Sequence, residues 1–190
     1  MSLNVLVIPE DPKLNGHILK PLAERLLEDA GKPNARVKVL DNPRLRGYDQ
    51  AVRAIRGQLP QRYEFFDLWL FFPDADRAGT EAVNDLEADL DAQGITLLCC
   101  RAQPVVEIFA CAAFRGQLPV TWEDARNHRR LKEEVFEPRR SMLQKLQRRV
   151  PGGGRRYMIE QSLRNLPLLY RLCPEVERLR DRIAAWLGTP

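Results

Sequence analysis

Four apolar runs, each followed by a stretch of helical periodicity, limit what this chain can become. "LNVLVI" (residues 3–8) ends at Pro9, and Ile18, Leu19, Leu22, Leu26 and Leu27 then recur at helical spacing up to Gly31. "ARVKVL" is followed by "YDQAVRAIRGQL", which closes near Gly57 and Pro60. "YEFFDLWLFF" is followed by "GTEAVNDLEADLDAQG", with Thr80 as a possible cap and Gly94 as the stop. "ITLLCC" is followed by "PVVEIFACAAFRG", which has Pro at its start and Gly at its end. The runs are mostly continuous rather than alternating, so both faces of each strand are expected to be covered. That predicts an α/β fold: a mainly parallel four-stranded sheet with helices on both faces and right-handed crossovers.

The strand signal stops near residue 120. "WEDARNHRRLKEEVF", "PRRSMLQKLQRRV" and "PEVERLRDRIAAWLG" read as amphipathic helices, interrupted by "VPGGGRR". We therefore divide the chain into an α/β domain over residues 1–120 and a basic helical extension over 121–190. The extension is expected to pack on the sheet through Trp122, Leu143, Leu146, Leu168, Leu169 and Trp186. Charge divides at the same place. Residues 1–120 hold 14 Lys/Arg against 17 Asp/Glu, and residues 121–190 hold 16 against 9.

Composition narrows the chemistry. Cys99, Cys100, Cys111 and Cys173 form no C-x-x-C pair, and only His17 and His128 are present, so ordinary zinc spacing is missing. Reduced, buried thiols are expected. No apolar run approaches membrane-span length, and the start lacks a basic leader, which implies a cytoplasmic protein without membrane attachment.

Ligands of open α/β sheets bind beyond the carboxyl ends of the strands. Acidic residues recur there: Glu10 and Asp11 after the first strand, Asp74 and Asp76 after the third, and Glu107 in the first turn of the helix after the fourth. In an extended segment, Asp74 and Asp76 would point to one side. Two close carboxylates repel when both are ionised, and a hard divalent cation relieves that repulsion. The same aspartates suit plain turns, and Glu107 suits a helix N-terminus through the dipole. Arg77 is a candidate phosphate contact or an ion-pair partner of Asp74, and Gly79 a candidate tight turn.

"FFPDADRAGTEA" resembles the second signature of Toprim domains, the metal-binding domain type of bacterial primases and topoisomerases: an apolar strand ending in Asp-x-Asp. "NVLVIPEDP" places Glu10 where the first Toprim signature carries its glutamate, although Asp11 and Pro12 stand where many Toprim domains have glycine. The resemblance covers roughly residues 3–116. It is nearest to small stand-alone bacterial Toprim-like proteins, some related to nucleases of phage defence, in which "PVVEIFACAAF" is similar to a Glu-containing helix. The resemblance implies a Mg²⁺ (or Mn²⁺) site made by Glu10, Asp74 and Asp76, acting on a phosphodiester of nucleic acid, with Glu107 as a possible additional acid. A non-catalytic module that binds nucleic acid or a protein partner is the alternative.

The basic segment offers further phosphate contacts. Arg129, Arg130, Arg139, Arg140, Arg148, Arg149, Arg155 and Arg156 lie in paired positions, and such pairs near a metal site would draw in a nucleic-acid backbone. In "GGGRR", the glycines would open backbone N–H groups to phosphate beside Arg155 and Arg156, without the Lys-Ser/Thr ending of a Walker loop.

Overall fold

The computed structural model describes residues 2–146 and 152–188. Strands β1 (Asn4–Pro9), β2 (Arg36–Val39), β3 (Leu68–Phe72) and β4 (Leu97–Cys99) form one sheet in the order β2-β1-β3-β4. All three pairings are parallel, with Leu6 opposite Trp69 and Ile8 opposite Phe71. The α/β architecture read from the sequence is the one observed. Among the described residues, no helix is long and apolar enough to cross a membrane.

Strand alternation sends successive side chains to opposite faces, and each face has its own core. On one face Leu6, Ile8, Trp69, Phe71, Leu97 and Cys99 meet α2 (Tyr48–Arg56), α3 (Gln58–Arg62) and α4 (Thr80–Asp91). On the other, Val5, Val7, Leu70, Phe72 and Leu98 meet α1 (Pro12–Asp29) and α5 (Glu107–Cys111), which continues as a 3₁₀ turn over Ala112–Gln117. Asp11 caps α1 by accepting from Lys13 N and Leu14 N, and Pro12 occupies the first turn, where no N–H is required. That cap accounts for Asp-Pro after Glu10.

The C-terminal helices belong to this second core. They are α6 (Trp122–Arg126), a π-helical turn (Lys132–Phe136) running into α7 (Glu137–Leu146), α8 (Gly153–Leu163), α9 (Leu166–Leu172) and α10 (Pro174–Trp186). Phe136, Met158, Ile159, Leu169, Val176 and Ile183 are buried in the same cluster as Val5 and Val7. Leu143 is buried as expected and Trp122 packs against the cluster, whereas Trp186 stays 37% exposed.

Three helix assignments need correction. "WEDARNHRRLKEEVF" is not one helix: α6 stops at Asn127, whose side-chain amide bonds back to Glu123 O, and the chain turns before the π-helical segment. "GGGRR" does not break structure throughout, because Gly153 and Gly154 open α8 behind a left-handed Gly152. Thr80 does not cap α4; Gly79 occupies that position, and Thr80 Oγ1 accepts from Arg101 instead. Arg148 and Arg149 lie outside the described residues.

Candidate functional site

The sheet order places a crevice between β1 and β3. From β1 the chain crosses to β2 on one side, and β3 leads to β4 on the other. The carboxyl ends of β1 and β3 therefore flank the point where the winding reverses, which is where doubly wound sheets bind their ligands. Glu10 follows β1 directly, and Asp74 stands two residues beyond β3.

The two acids meet there. The backbone N–H of Asp74 donates to Glu10 Oε1 at 3.0 Å. Asp74 Oδ1 accepts from Val106 N at 3.0 Å, which ties it to the segment leading into α5. Glu10 is only 7% exposed. Its own carbonyl accepts from Gly47 N, which fixes the start of α2 beside the site. Burial raises the Asp74 carboxyl to about 8, helped by the charge of Glu10 and opposed by the Val106 hydrogen bond. Burial likewise raises the Glu10 carboxyl, against the favourable Asp74 N–H.

Asp76 is displaced from the pair. The premise of an extended Asp74–Asp76 segment does not hold, because the chain turns at Asp74, whose carbonyl accepts from Arg77 N and Ala78 N. Asp76 reaches the rim of the same cleft, half-exposed, 3.7 Å from the exposed Arg77. Arg101 holds this turn from behind. Its guanidinium donates to Ala78 O, Thr80 Oγ1 and Ala75 O, three acceptors within six residues of loop. No sequence signature marks Arg101, since its partners, two backbone oxygens and the Thr80 hydroxyl, are brought to it by the fold. Gly79 has φ −66° and open space around it, so its expected role in a tight turn is not required.

Glu107 and Arg155 lie behind the site, in the interior. Glu107 is 1% exposed, with its carboxylate 3.1 Å from Arg155 Nη1 and 3.5 Å from Lys132 Nζ. Arg155 also bonds Glu137 and lies over the Phe136 ring. The guanidinium expected to meet phosphate is thus committed inside the protein. Arg156 is at the surface, paired with Glu160, and lines no part of the cleft. The glycines before them serve packing. A Cβ on Gly152 would fall 2.7 Å from His17, and one on Gly154 2.6 Å from the carbonyl of Arg140.

Other cations surround the acids. The cleft has a volume of about 990 Å³, with Glu10, Asp74 and Asp76 in its lining. Arg46 and Arg53 come from the α2 side; Arg129, Arg130 and Lys132 come from the helical segment, where α6 ends early. Of these, only Arg129 and Arg130 stood among the paired arginines noted in the sequence. Tyr48 also lines the cleft, stacked on Phe71.

Among the described residues, no group of three or more His, Cys, Asp or Glu is gathered tightly enough to hold a metal ion. Mg²⁺ is usually held by one or two carboxylates, with water and substrate phosphate completing the shell, so it does not require such a group. Glu10 and Asp74 would be those carboxylates, with Asp76 at the rim. Burial is the main cause of both raised pKa values, and a cation bound there would lower them. No family model, curated protein or solved structure matches this chain.

Proposed function

We propose that the chain is a divalent-metal-dependent enzyme acting on phosphodiesters of nucleic acid, in the manner of a Toprim-like nuclease. One observation carries the reading. Two carboxylates from separate strands share the crevice at the reversal of the sheet, and burial leaves Asp74 with an affinity for protons that a cation would replace. When bound, Mg²⁺ or Mn²⁺ would polarise a phosphoryl oxygen and acidify an attacking water. Asp74 would hold the ion, and Glu10 would either share it or, left off the metal with its raised pKa, act as general acid or base. Arg77 and the arginines of the rim would neutralise the phosphate charge.

The direct test is cleavage of a labelled oligonucleotide. Wild type should cut in Mg²⁺ or Mn²⁺ and not in EDTA, and Glu10→Gln and Asp74→Asn should each lose about 10²-fold or more in rate. Metal-independent cutting, or full activity in both variants, overturns the assignment. A second reading has its own support. A proton on Asp74 removes its charge repulsion with Glu10 without any cation, which favours a non-catalytic nucleic-acid-binding module. Salt-sensitive binding without any cleavage would select it.

A further inference from the structure

The two banks of the cleft come from segments far apart in the chain, and both are basic. On one bank stand Arg46, just before α2, and Arg53 within it; on the other stand Arg129 and Arg130, in the turn between α6 and the π-helical segment. Arg46 and Arg129 have no side-chain hydrogen bond or ion pair among the described residues. Arg53 donates only to Asp49 O, and Arg130 pairs with the exposed Glu134 one turn on, a kind of contact worth little. The four guanidiniums are thus available, and all four residues are exposed.

A phosphate monoester would engage the floor and one bank. Cations on both sides of a sunken acidic pair instead suit a chain of phosphates that enters over one bank and leaves over the other. The volume of about 990 Å³ is at the upper end for small-ligand cavities, enough for a short run of nucleotides. Glu10 is 7% exposed at the floor, so a phosphate must descend to reach it. A flexible strand can bend into the cleft; a stiff duplex, two strands wide, would rest on the banks.

We infer that the cleft takes a single polynucleotide strand laid across the carboxyl ends of β1 and β3, gripped by Arg46 and Arg53 on one bank and by Arg129 and Arg130 on the other. The helical C-terminal part then supplies half of the binding surface. This inference rests on the reading of the cleft as a phosphodiester site, but not on catalysis.

Fluorescence anisotropy with labelled oligothymidylate and a duplex of equal length, in EDTA, tests it on the full chain. The single strand should bind more tightly than the duplex. Arg46→Ala/Arg53→Ala and Arg129→Ala/Arg130→Ala should each weaken binding tenfold or more. Each should also lower the slope of log affinity against log salt by about 1.4, the share of two phosphate contacts. Arg36→Ala/Arg62→Ala, at exposed positions outside the lining of the cleft, should bind within twofold of wild type. Equal or tighter duplex binding, no binding by wild type, an unaffected Arg129/Arg130 variant, or an equal loss in the Arg36/Arg62 variant overturns it. Cleavage is absent in EDTA under the proposed function, so strand binding without cleavage in Mg²⁺ would defeat the enzymatic reading alone.

Discussion

The backbone N–H of Asp74 reaches across 64 residues of sequence to Glu10 Oε1, 3.0 Å away. That contact joins the end of β3 to the end of β1 and puts two acids into one crevice. Each is desolvated, and Asp74 feels the charge of Glu10. The arrangement disfavours two negative charges, which is a poor choice for stability and a useful one for binding a cation.

In metal-free buffer the pair should make stability depend on pH. Asp74 has an ordinary carboxyl value of 3.8 and a folded value of about 8. Between these limits the unfolded chain gives up the proton and the folded chain retains it. The contribution is therefore fully present below about pH 4 and is lost as pH rises towards 8. Urea unfolding in EDTA at pH 5 and pH 8 should show wild type losing stability relative to Asp74→Asn, whose amide can still accept from Val106. Parallel profiles would refute the raised value.

Arg101 should act as a positioning residue for the acidic turn. Arg101→Ala removes donors to Ala75 O, Ala78 O and Thr80 Oγ1, and should cost about 2 kcal/mol. For a chain of this size that is a fall in Tm of about 4–8 °C. Lysine should not restore it, because a single ammonium cannot span the three acceptors. The response of Tm to Mg²⁺ should shrink as well, which a purely structural loss elsewhere would not produce.

The buried Arg155 should matter for stability and not for strand binding. Arg155→Ala leaves Glu107 buried without its guanidinium and should cost about 3–5 kcal/mol in urea unfolding. At a temperature where the variant remains folded, oligonucleotide affinity should match wild type. A selective loss of affinity with normal stability would restore Arg155 as a phosphate contact.

Gly154, in the first turn of α8, should be intolerant of a side chain. Gly154→Ala drives a methyl against Arg140 O and should cost about 1–3 kcal/mol, while Gly79→Ala, with φ −66° and open space, should stay within about 0.5 kcal/mol. Equal tolerance at both positions in thermal melts would show that Gly154 is not chosen for close packing.

The βα units were legible because their signals are local. Leu68–Phe72 is a continuous apolar run, and Ile18, Leu22 and Leu26 repeat at helical spacing, so element type follows from periodicity alone. The position of Glu10 and Asp74 after their strands was legible for the same reason. Their contact was not, because it depends on β1 and β3 being neighbours, a choice made by core packing across the whole sheet. The displacement of Asp76 follows from a turn closed by backbone bonds, which Asp, Ala and Arg do not announce. "GGGRR" misled in a different way. Its glycines answer to His17 and Arg140, and Arg155 answers to Glu107 and Glu137, all distant in sequence.

Calorimetric titration of the metal-free chain with Mn²⁺ at pH 7 tests most directly whether a cation settles on the Glu10–Asp74 pair. One ion per chain should bind with release of a proton, and Glu10→Gln and Asp74→Asn should each lose at least tenfold in affinity. Binding with the same affinity in both variants, or no saturable binding by wild type, would contradict the account.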